Sequence, residues 1–313
     1  MTTKTSPSDT VSAESVWLIA GPTASGKSAC ALQLAKALSK QDQTGVIINA
    51  DSMQVYADVP VLSAAPTKVD LKHCEHRLYG AWDGAEACSA ASWAARAKEE
   101  IEECHETGKT PILVGGTGMY LKVLLEGIAP IPEIEPEVRE QVRSMETADA
   151  FAALEIEDPL RAATLEPGDS QRIARALEVK RSTGVTLADW QQAKSGGINE
   201  EVTLHPIALM PERQWVYDRC DLRFEKMLES GAIEEVEALL ARKLSPDLPV
   251  MRAIGVPEIA QLIRKEIPRE EAIAAGGQST RQYAKRQFTW LRNQCPPAWP
   301  RVNPEEISSV LPK

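Results

Sequence analysis

Eight residues near the start of the chain have the types and the spacing that bind phosphate. Residues 21–28 read GPTASGKS and complete the pattern G-x-x-x-x-G-K-[ST]. Glycines let the backbone turn tightly so that N–H groups converge on a phosphate, and the helix that follows points its positive end at the same place. Lys27 adds a flexible positive charge, and the Ser28 hydroxyl is suited to ligate Mg²⁺. We therefore predict a loop that binds a diphosphate or triphosphate, formed by Gly21, Pro22, Thr23, Ala24, Ser25, Gly26, Lys27 and Ser28.

Two further segments place reactive side chains directly after apolar runs. The run at 46–50 leads into Asp51, and the run at 111–114 opens into GGTGMY, which contains Thr117. In open parallel sheets, ligands bind at the carboxyl ends of the strands. Asp51 could hold a metal ion or act as a base, and Thr117 offers a hydroxyl. Each residue alone is equally well explained as a cap or turn residue, but their joint position beside a phosphate loop favours a role in a reaction.

The elements that position these residues follow from hydrophobic periodicity. Buried-strand patterns occur at 16–20, 46–50, 111–114 and 204–209, mostly separated by helical patterns. Alternating strands and helices predict an α/β fold, a P-loop NTPase-like parallel sheet flanked by helices. Between about 134 and 201 the strand signal is lost and only helical patterns occur. We predict a helical insertion at 134–201 in a catalytic core formed by 15–133 and 202–313.

The ends of the chain and its cysteines bear on its cellular compartment. Residues 1–14 are polar and contain no apolar segment typical of a signal peptide, so we expect a flexible tail. No apolar stretch approaches the length of a membrane span. The six cysteines show no C-x-x-C pairing, and we expect free thiols. These features predict a cytoplasmic protein.

Charge alone does not identify a nucleic-acid partner. The chain of 313 residues has a formal net charge of −10, which argues against indiscriminate binding of nucleic acid. A local basic face is still possible at two segments, 171–181 and 281–292. In the second segment, helical spacing would align the basic residues beside Phe288. Solvated helix flanks with ordinary ion pairs remain the alternative interpretation of both segments.

Five motifs in a fixed order show a resemblance to a known family. They are GPTASGKS at 21–28, DSMQVY at 51–56, GGTGMYLK at 115–122, DSQRIARALEV at 169–179 and RQYAKRQFTWLR at 281–292. Together they span most of 16–295, and they resemble the tRNA dimethylallyltransferase family of bacterial type. Five ordered motifs are far more specific than any one of them.

The resemblance implies a reaction and roles for residues. Members of this family transfer the dimethylallyl group of dimethylallyl diphosphate to N6 of adenosine 37 in tRNAs reading codons that begin with U, releasing diphosphate. The resemblance implies Asp51 as the base and Thr117 as a donor to the bridging oxygen. The phosphate loop itself predicts Lys27 at the phosphates and Mg²⁺ on Ser28 as cofactor. The helical insertion is expected to contact the anticodon stem-loop, and we expect a monomer. The positions that match family tRNA contacts are Asp51, Ser52, Met53, Gln54, Thr117, Arg139, Gln171, Arg172, Ile173, Ala174, Arg175, Arg252, Ala253, Ile254, Gly255, Val256 and Pro257.

Two segments depart from the family pattern. The usual Gly-Thr-Ala-Lys-Pro after the DSMQVY motif is here LSAAP at 62–66, so a familiar lysine is absent. A Tyr-Arg pair found in some relatives is here Val256-Pro257. Because proline has neither a charge nor an N–H, contacts at these two positions are limited to apolar surfaces and carbonyl oxygens.

Three other functions use the same phosphate loop. An adenylate isopentenyltransferase would act on a free nucleotide, which needs neither the helical insertion nor the basic segments. A small-molecule kinase would hold ATP in the loop, and Asp51 would activate a hydroxyl. A nucleotide-dependent RNA-binding switch would need no catalytic Asp51. Acceptor choice, ATP consumption and the effect of removing Asp51 distinguish the three.

Overall fold

A single parallel sheet organises the larger part of the chain. The computed structural model describes residues 14–312, so the tail predicted at 1–14 falls outside the described residues except for its last position. The strands are β1 (Ser15–Ala20), β2 (Thr44–Ala50), β3 (Glu75–Arg77), β4 (Lys109–Gly115), β5 (Thr203–Leu209) and β6 (Arg301–Val302). Their order in the sheet is β3-β2-β4-β1-β5-β6, and every pairing is parallel. The predicted α/β fold is confirmed.

The central strands are the ones that the sequence predicts. All residues of β1 are buried, as are all of β2 after its first residue. A sheet covered by helices on both faces needs strands that are apolar along their whole length, and such runs can be recognised in the sequence. The sequence gives no comparable signal for β3 and β6, because these edge strands are short and partly exposed.

Helices surround the sheet and build the rest of the chain. They are α1 (Lys27–Ser39), α2 (Asp70–His73), α3 (Ala90–Glu106), α4 (Gly118–Glu126), α5 (Pro136–Ser144), α6 (Thr147–Glu157), α7 (Pro159–Ala162), α8 (Ser170–Thr183), α9 (Leu187–Gln192), α10 (Arg213–Glu229), α11 (Ala232–Ala241), α12 (Val256–Ile263) and α13 (Arg269–Gln294). Two short 3-10 helices lie at Pro249–Arg252 and Pro304–Ser309. Within 14–312, no helix combines the length and the apolar character that crossing a bilayer requires.

Helices α10 and α13 pack together beside the phosphate loop. Val216 and Cys220 of α10 form a buried cluster with Ala284 and Phe288 of α13. Helix α13 contains the predicted helical spacing at 281–292, but Phe288 is only 1% exposed and packs in the core, so it is not part of an accessible basic face. Arg281 forms an ion pair with Asp221 on α10 instead. The apolar stripe of α13 thus faces α10.

Residues Leu125–Ile198 form a second compact unit. Helices α5 to α9 lie in it, and its core includes Val142, Leu154, Ile173 and Leu177. The unit starts and ends earlier than the predicted insertion at 134–201. Ile128 and Ser195 exchange backbone hydrogen bonds of 3.1 and 3.2 Å, so the entering and leaving chain segments pair with each other. Such pairing leaves no mark in hydrophobic periodicity, which explains the shifted boundaries.

Candidate active site

The loop at 21–28 connects β1 to α1 and presents the start of that helix. Gly26 precedes α1 with φ of 89°, in the left-handed region that favours glycine. The first backbone hydrogen bond of α1 joins the Cys30 N–H to the Gly26 carbonyl at 3.1 Å. The N–H groups before Cys30 therefore begin the helix without helical acceptors. The first turn of α1, all of which the structure describes, contains no acidic residue, so the helix N-terminus is suited to bind an anion.

Most of the loop lines an open cleft, but its first two residues do not. The cleft has a volume of about 400 Å³, and the loop residues lining it are Thr23, Ala24, Ser25, Gly26, Lys27 and Ser28. Gly21 and Pro22 were predicted to bind the diphosphate, but both are buried. The Gly21 N–H donates to the Gly115 carbonyl at 3.2 Å, and proline has no N–H. Gly21 therefore holds the loop to the end of β4, and the Pro22 carbonyl accepts hydrogen bonds from within the loop.

Lys27 is held back inside the loop. Its Nζ donates to the Pro22 carbonyl at 2.8 Å. Burial lowers the pKa of Lys27 to about 8; nearby Arg223 also lowers this pKa, and Asp51 opposes the shift. The Ser25 hydroxyl is fully buried and has no hydrogen-bond partner among the described residues. A bound phosphate would supply the negative charge and the acceptor oxygens that these two side chains lack.

Helix α10 supplies cations that the sequence analysis did not assign to the site. Arg223 donates from Nη2 to the Thr23 hydroxyl at 2.5 Å, and burial lowers its pKa. Arg219 donates from Nε to the Ala24 carbonyl at 2.9 Å. Together with Lys226, both arginines line the cleft of the phosphate loop. Their spacing by one helical turn is a signal in the sequence, but it does not show which loop the side chains meet.

A buried glutamine connects the phosphate loop with the loop after β4. Gln287 of α13 is 4% exposed. Its Oε1 accepts from the Thr23 N–H at 2.7 Å, and its Nε2 donates to the Gly116 carbonyl at 2.9 Å. One side chain thus fixes two strand-end loops relative to each other.

The Gly116→Ala variant is expected to be less stable by roughly 1–3 kcal/mol, the usual cost of overpacking. A Cβ at Gly116 would lie 2.4 Å from both the Gln287 Nε2 and the Gly21 carbonyl oxygen. Chemical denaturation measures the loss. Gly168→Ala is the matched control, because nothing lies within 4 Å of its added Cβ, and its effect should stay within about 0.5 kcal/mol. Equal stability of the two variants would contradict this packing argument.

Asp51 follows β2 and forms a turn while lining the cleft. Its Oδ1 accepts from the Met53 N–H at 3.0 Å. No donor to its Oδ2 is found among the described residues. The turn role that the sequence left as an alternative is therefore present, and it leaves one carboxylate oxygen available to a ligand.

Thr117 joins the ends of β4 and β2. Its Oγ1 accepts from the Ser52 N–H at 2.9 Å and donates to the Ser52 Oγ at 3.3 Å. The pKa of Tyr283 is raised, mainly by burial and also by Asp51, while hydrogen bonds with Thr117 and Ser52 oppose the rise. Thr117 lines neither the phosphate cleft nor the pocket that adjoins it. Thr117, which the sequence predicts as a site residue, therefore lies next to the site, and its hydroxyl is hydrogen-bonded to Ser52.

A second pocket adjoins the phosphate cleft, and Asp51 lines both. This pocket has a volume of about 200 Å³, and Thr23, Asp51, Ser63 and Arg223 line both spaces. Its other lining residues are mostly apolar or aromatic: Ser52, Met53, Val59, Leu62, Cys220, Phe224, Met227, Arg252, Ala253, Ile254, Thr280, Tyr283 and Arg286. The site thus combines a charged compartment and a more apolar one, with a carboxylate at their junction.

The segment that departs from the family pattern forms the wall between the two spaces. Gln54 Nε2 donates to the carbonyls of Ser63 and Ala64, at 2.9 Å each. Glu235 of α11 accepts from the N–H groups of Val61 and Leu62 at 2.6 and 3.0 Å. The wall is therefore held from both sides by side chains that sequence reasoning did not pair.

The predicted tRNA contacts at 252–257 are only partly accessible. Arg252 and Pro257 are exposed, and Arg252 forms an ion pair with Asp247. Ala253 and Val256 are 3% and 2% exposed, so the side chain of Val256 is unavailable to RNA, whereas Ala253 lines the second pocket.

In the second unit, the predicted RNA contacts lie mainly on the exposed side of α8. Gln171, Arg172 and Arg175 are exposed, as is Arg139 on α5. Ile173 was also predicted to contact tRNA, but its side chain is fully buried in the core of the unit. The remaining predicted position in α8, Ala174, is partly buried. The helical period separates these residues into an outer and an inner set.

The exposed arginines of α8 also form the ion pairs expected of a solvated helix flank. Arg172 pairs with Asp169 at 2.9 Å. Arg175 lies 3.8 Å from the buried carboxylate of Glu178, which Arg143 contacts at 3.0 Å. These pairs do not occupy all the donors of an arginine, so an exposed guanidinium can still meet a phosphate.

A glycine-rich loop between a buried parallel strand and a helix defines a P-loop fold with a phosphate-binding site. The family model described as IPP transferase matches residues 54–294. The chain is 61% identical to a tRNA dimethylallyltransferase of Erythrobacter litoralis, over 92% of this chain and 90% of that protein. It is 62% identical to a tRNA dimethylallyltransferase of Novosphingobium aromaticivorans, over 86% of this chain and 98% of that protein. The chain belongs to the IPP transferase family.

Solved structures agree with this assignment. The full-length tRNA isopentenylpyrophosphate transferase of Bacillus halodurans has a TM-score of 0.67 at 32% identity, over 95% of this chain and 94% of that one. A eukaryotic dimethylallyltransferase acting on tRNA has a TM-score of 0.75 at 28% identity, over 89% of this chain and 70% of that one. The predicted family and the predicted class of enzyme, a prenyltransferase, are confirmed.

Proposed function

We propose that this protein transfers the dimethylallyl group of dimethylallyl diphosphate to N6 of adenosine 37 in tRNAs reading codons that begin with U. The observation that carries the proposal is the junction at Asp51, which lines both the phosphate cleft and the adjoining pocket. A donor with its diphosphate in the cleft and an adenine in the pocket would meet at this carboxylate.

The charged cleft serves the departure of diphosphate. Negative charge grows on the bridging oxygen as the allylic carbon–oxygen bond breaks, and fixed positive groups that face this oxygen stabilise the transition state. Lys27 and Arg223, together with the N-terminal amides of α1, provide these groups. Lys27 donates to the Pro22 carbonyl, so binding of diphosphate would exchange this neutral acceptor for an anionic one.

The Asp51 carboxylate is proposed to activate the nucleophile, the exocyclic amine of adenosine. The exocyclic amine of adenosine is a weak nucleophile, and it must lose a proton as its bond to carbon forms. The Oδ2 of Asp51 is available to accept this proton as a general base, because only Oδ1 is engaged by the Met53 N–H. Thr117 stays a predicted donor to the bridging oxygen. Its hydroxyl now donates to Ser52, and rotation about a single bond would redirect it.

The residues present fit a magnesium ion. Ser28 is exposed and lines the same cleft as Asp51. The described residues contain no group of three or more His, Cys, Asp or Glu that could hold a metal, and Mg²⁺ is usually held by one or two protein oxygens together with substrate phosphates. We infer Ser28 as its protein ligand, where the ion would neutralise charge on the diphosphate.

The tRNA is the proposed acceptor because the second unit offers exposed arginines that a free nucleotide does not require. The adenine must leave its stack to reach a carboxylate inside the pocket, as for other enzymes that act on bases. Exposed Arg139, Arg172 and Arg175 are proposed to contact the anticodon stem-loop.

Replacing Arg172 or Arg175 with alanine is expected to weaken tRNA binding and to flatten its salt dependence. Loss of one phosphate contact reduces the slope of log K against log salt by roughly 0.7–0.9. Binding titrations at several salt concentrations measure this slope. Arg264→Ala is the matched control, because Arg264 is also an exposed arginine and pairs with the nearby Glu266. An unchanged slope in the Arg172 and Arg175 variants would mean that these residues do not contact phosphate, and it would support the alternative of a solvated helix flank.

One assay tests the function and the acceptor together. The protein is incubated with dimethylallyl diphosphate, Mg²⁺ and unmodified tRNA with adenosine at position 37, and the digested nucleosides are weighed by mass spectrometry. AMP and a tRNA with guanosine at position 37 run in parallel. A gain of one dimethylallyl group on the adenosine tRNA alone is expected. A gain on AMP alone would support an adenylate isopentenyltransferase, and no gain on any acceptor would contradict the proposal.

A further inference from the structure

Asn49, the residue before the last one of β2, is buried beside the junction of the two spaces. Its side chain is 0% exposed. Its Oδ1 accepts from the Asp51 N–H at 2.8 Å, and its Nδ2 donates to the Asp51 carbonyl at 3.0 Å. The same nitrogen donates to the Leu78 carbonyl at 3.1 Å. One amide therefore holds both backbone polar groups of Asp51 and uses both of its own N–H donors.

Contacts with a neighbouring strand and with α3 hold Asn49 in its position. Leu78 follows β3, the neighbouring strand in the sheet, so Asn49 fastens the turn of Asp51 to the end of that strand. Trp93 of α3 donates from Nε1 to the Asn49 backbone carbonyl at 2.9 Å. The indole of Trp93 is fully buried and stacks on Tyr120 with 4.5 Å between ring centroids. The main chain of Asn49 is thus held in the core, while its side-chain amide holds Asp51, which lines the site.

An amide is the side chain that this position requires. The two carbonyls need two donors and the Asp51 N–H needs an acceptor, and only Asn or Gln carries two N–H donors and an acceptor on one planar group. An aspartate of the same shape would present oxygens to two carbonyl oxygens. An apolar residue would remove these partners from the two backbone polar groups of half-buried Asp51 and from the carbonyl of buried Leu78.

We propose that Asn49 is a positioning residue for transfer, which acts by holding the Asp51 carboxylate in the geometry of a general base. This proposal rests on the proposed function, because it assigns Asn49 a kinetic role only through Asp51. Loss of the amide frees the backbone of Asp51, while the phosphate loop, which Asn49 does not contact, stays intact. A misplaced catalytic group costs about 10²-fold in rate. The loss should therefore appear in kcat, and KM for dimethylallyl diphosphate should be unchanged.

The test is a double-mutant cycle of Asn49→Ala and Asp51→Asn, measured by single-turnover transfer to tRNA. Asn49→Ala alone is expected to lose about 10²-fold in rate. Added to Asp51→Asn, it should cost at most about threefold more, because a residue that acts through the base has nothing left to position. Losses that multiply in the double variant would overturn the proposal. So would a rate for Asn49→Ala within about threefold of the wild type.

Two controls separate positioning from folding. Trp93→Phe removes the hydrogen bond to the same residue but leaves the amide on Asp51, and its rate should stay within about threefold of the wild type. A rate loss in Trp93→Phe equal to that in Asn49→Ala would overturn the proposal. Asn49→Ser keeps a donor and an acceptor and should retain an intermediate rate even if the alanine variant unfolds. Absence of transfer by the wild type would instead refute the proposed function, and Asp51→Asn with full activity would refute the base on which Asn49 is said to act.

Discussion

Replacing Asp51 with asparagine is expected to slow dimethylallyl transfer by roughly 10²–10⁴-fold, the range usually lost with a general base. The asparagine keeps the shape of the side chain, and its Oδ1 can still accept from the Met53 N–H that Asp51 now engages. The turn therefore survives, while the group that accepts a proton from the amine is gone. Single-turnover transfer with saturating substrates measures the loss, and equilibrium binding of tRNA and of pyrophosphate should change far less.

Asp58→Asn is the matched control for this variant. Asp58 lies in the same stretch of chain and also accepts from a backbone N–H, that of Gly84 at 2.8 Å, but it lines neither space of the site. Its replacement should leave the transfer rate within about threefold of the wild type. Equal rates for Asp51→Asn and the wild type would remove Asp51 from the mechanism.

The parts of the site that the sequence predicts are those that lie in continuous motifs. The loop at 21–28 and the strand end before Asp51 each combine a buried run with a functional residue immediately after it. A parallel sheet brings such ends to one edge, so their proximity follows from local patterns. The family motifs strengthened this inference, and in the structure Lys27 and Asp51 line the same cleft.

Contacts between distant segments could not be predicted in the same way. Gln287 is separated from Thr23 by most of the chain, yet it accepts from the Thr23 N–H at 2.7 Å. Arg223 reaches the Thr23 hydroxyl from α10. In the sequence both residues are polar positions on amphipathic helices, and nothing in a helical period says which loop a polar side chain meets. Only the packing of α10 and α13 decides this.

Burial also divides motifs that read as units in the sequence. Ile173 lies in a matched motif, but the turn of α8 directs its side chain into the core. Gly21 and Pro22 belong to the phosphate pattern, but Gly21 attaches the loop to β4 and Pro22 accepts hydrogen bonds from within the loop. A motif therefore specifies both the residues that touch a ligand and those that hold them, and the structure is needed to separate the two.

The affinity for diphosphate is expected to fall as the pH rises above about 8, because Lys27 then loses its proton. Burial lowers the pKa of Lys27 from its ordinary value of 10.5 to about 8. A bound diphosphate favours the charged amine, so binding above this pH takes up a proton, and affinity should fall by up to about tenfold per pH unit. Calorimetric titration with inorganic pyrophosphate, in the presence of a chelator that removes Mg²⁺, measures this dependence.

Lys27→Met is the variant that isolates the effect. At pH 7 it should bind pyrophosphate roughly 10- to 150-fold more weakly, the equivalent of losing a hydrogen bond to a charged group. The protonation of pyrophosphate itself is common to both proteins, so the difference between their pH profiles reports Lys27 alone. Parallel profiles for the variant and the wild type would contradict the titration of Lys27.

The same pKa predicts that this loss of affinity is not a loss of stability. Between about 8 and 10.5 the unfolded chain binds more protons at Lys27 than the folded chain does, so this residue makes stability rise with pH across that window. Below about 8 the charged Lys27 is present in both states, and its burial costs stability in full. Lys27→Met removes that cost, and thermal unfolding at pH 7 should show a midpoint equal to or above that of the wild type. A marked decrease in the midpoint would instead mean that Lys27 supports the loop through its contact with the Pro22 carbonyl, and the weaker binding would then reflect a damaged loop.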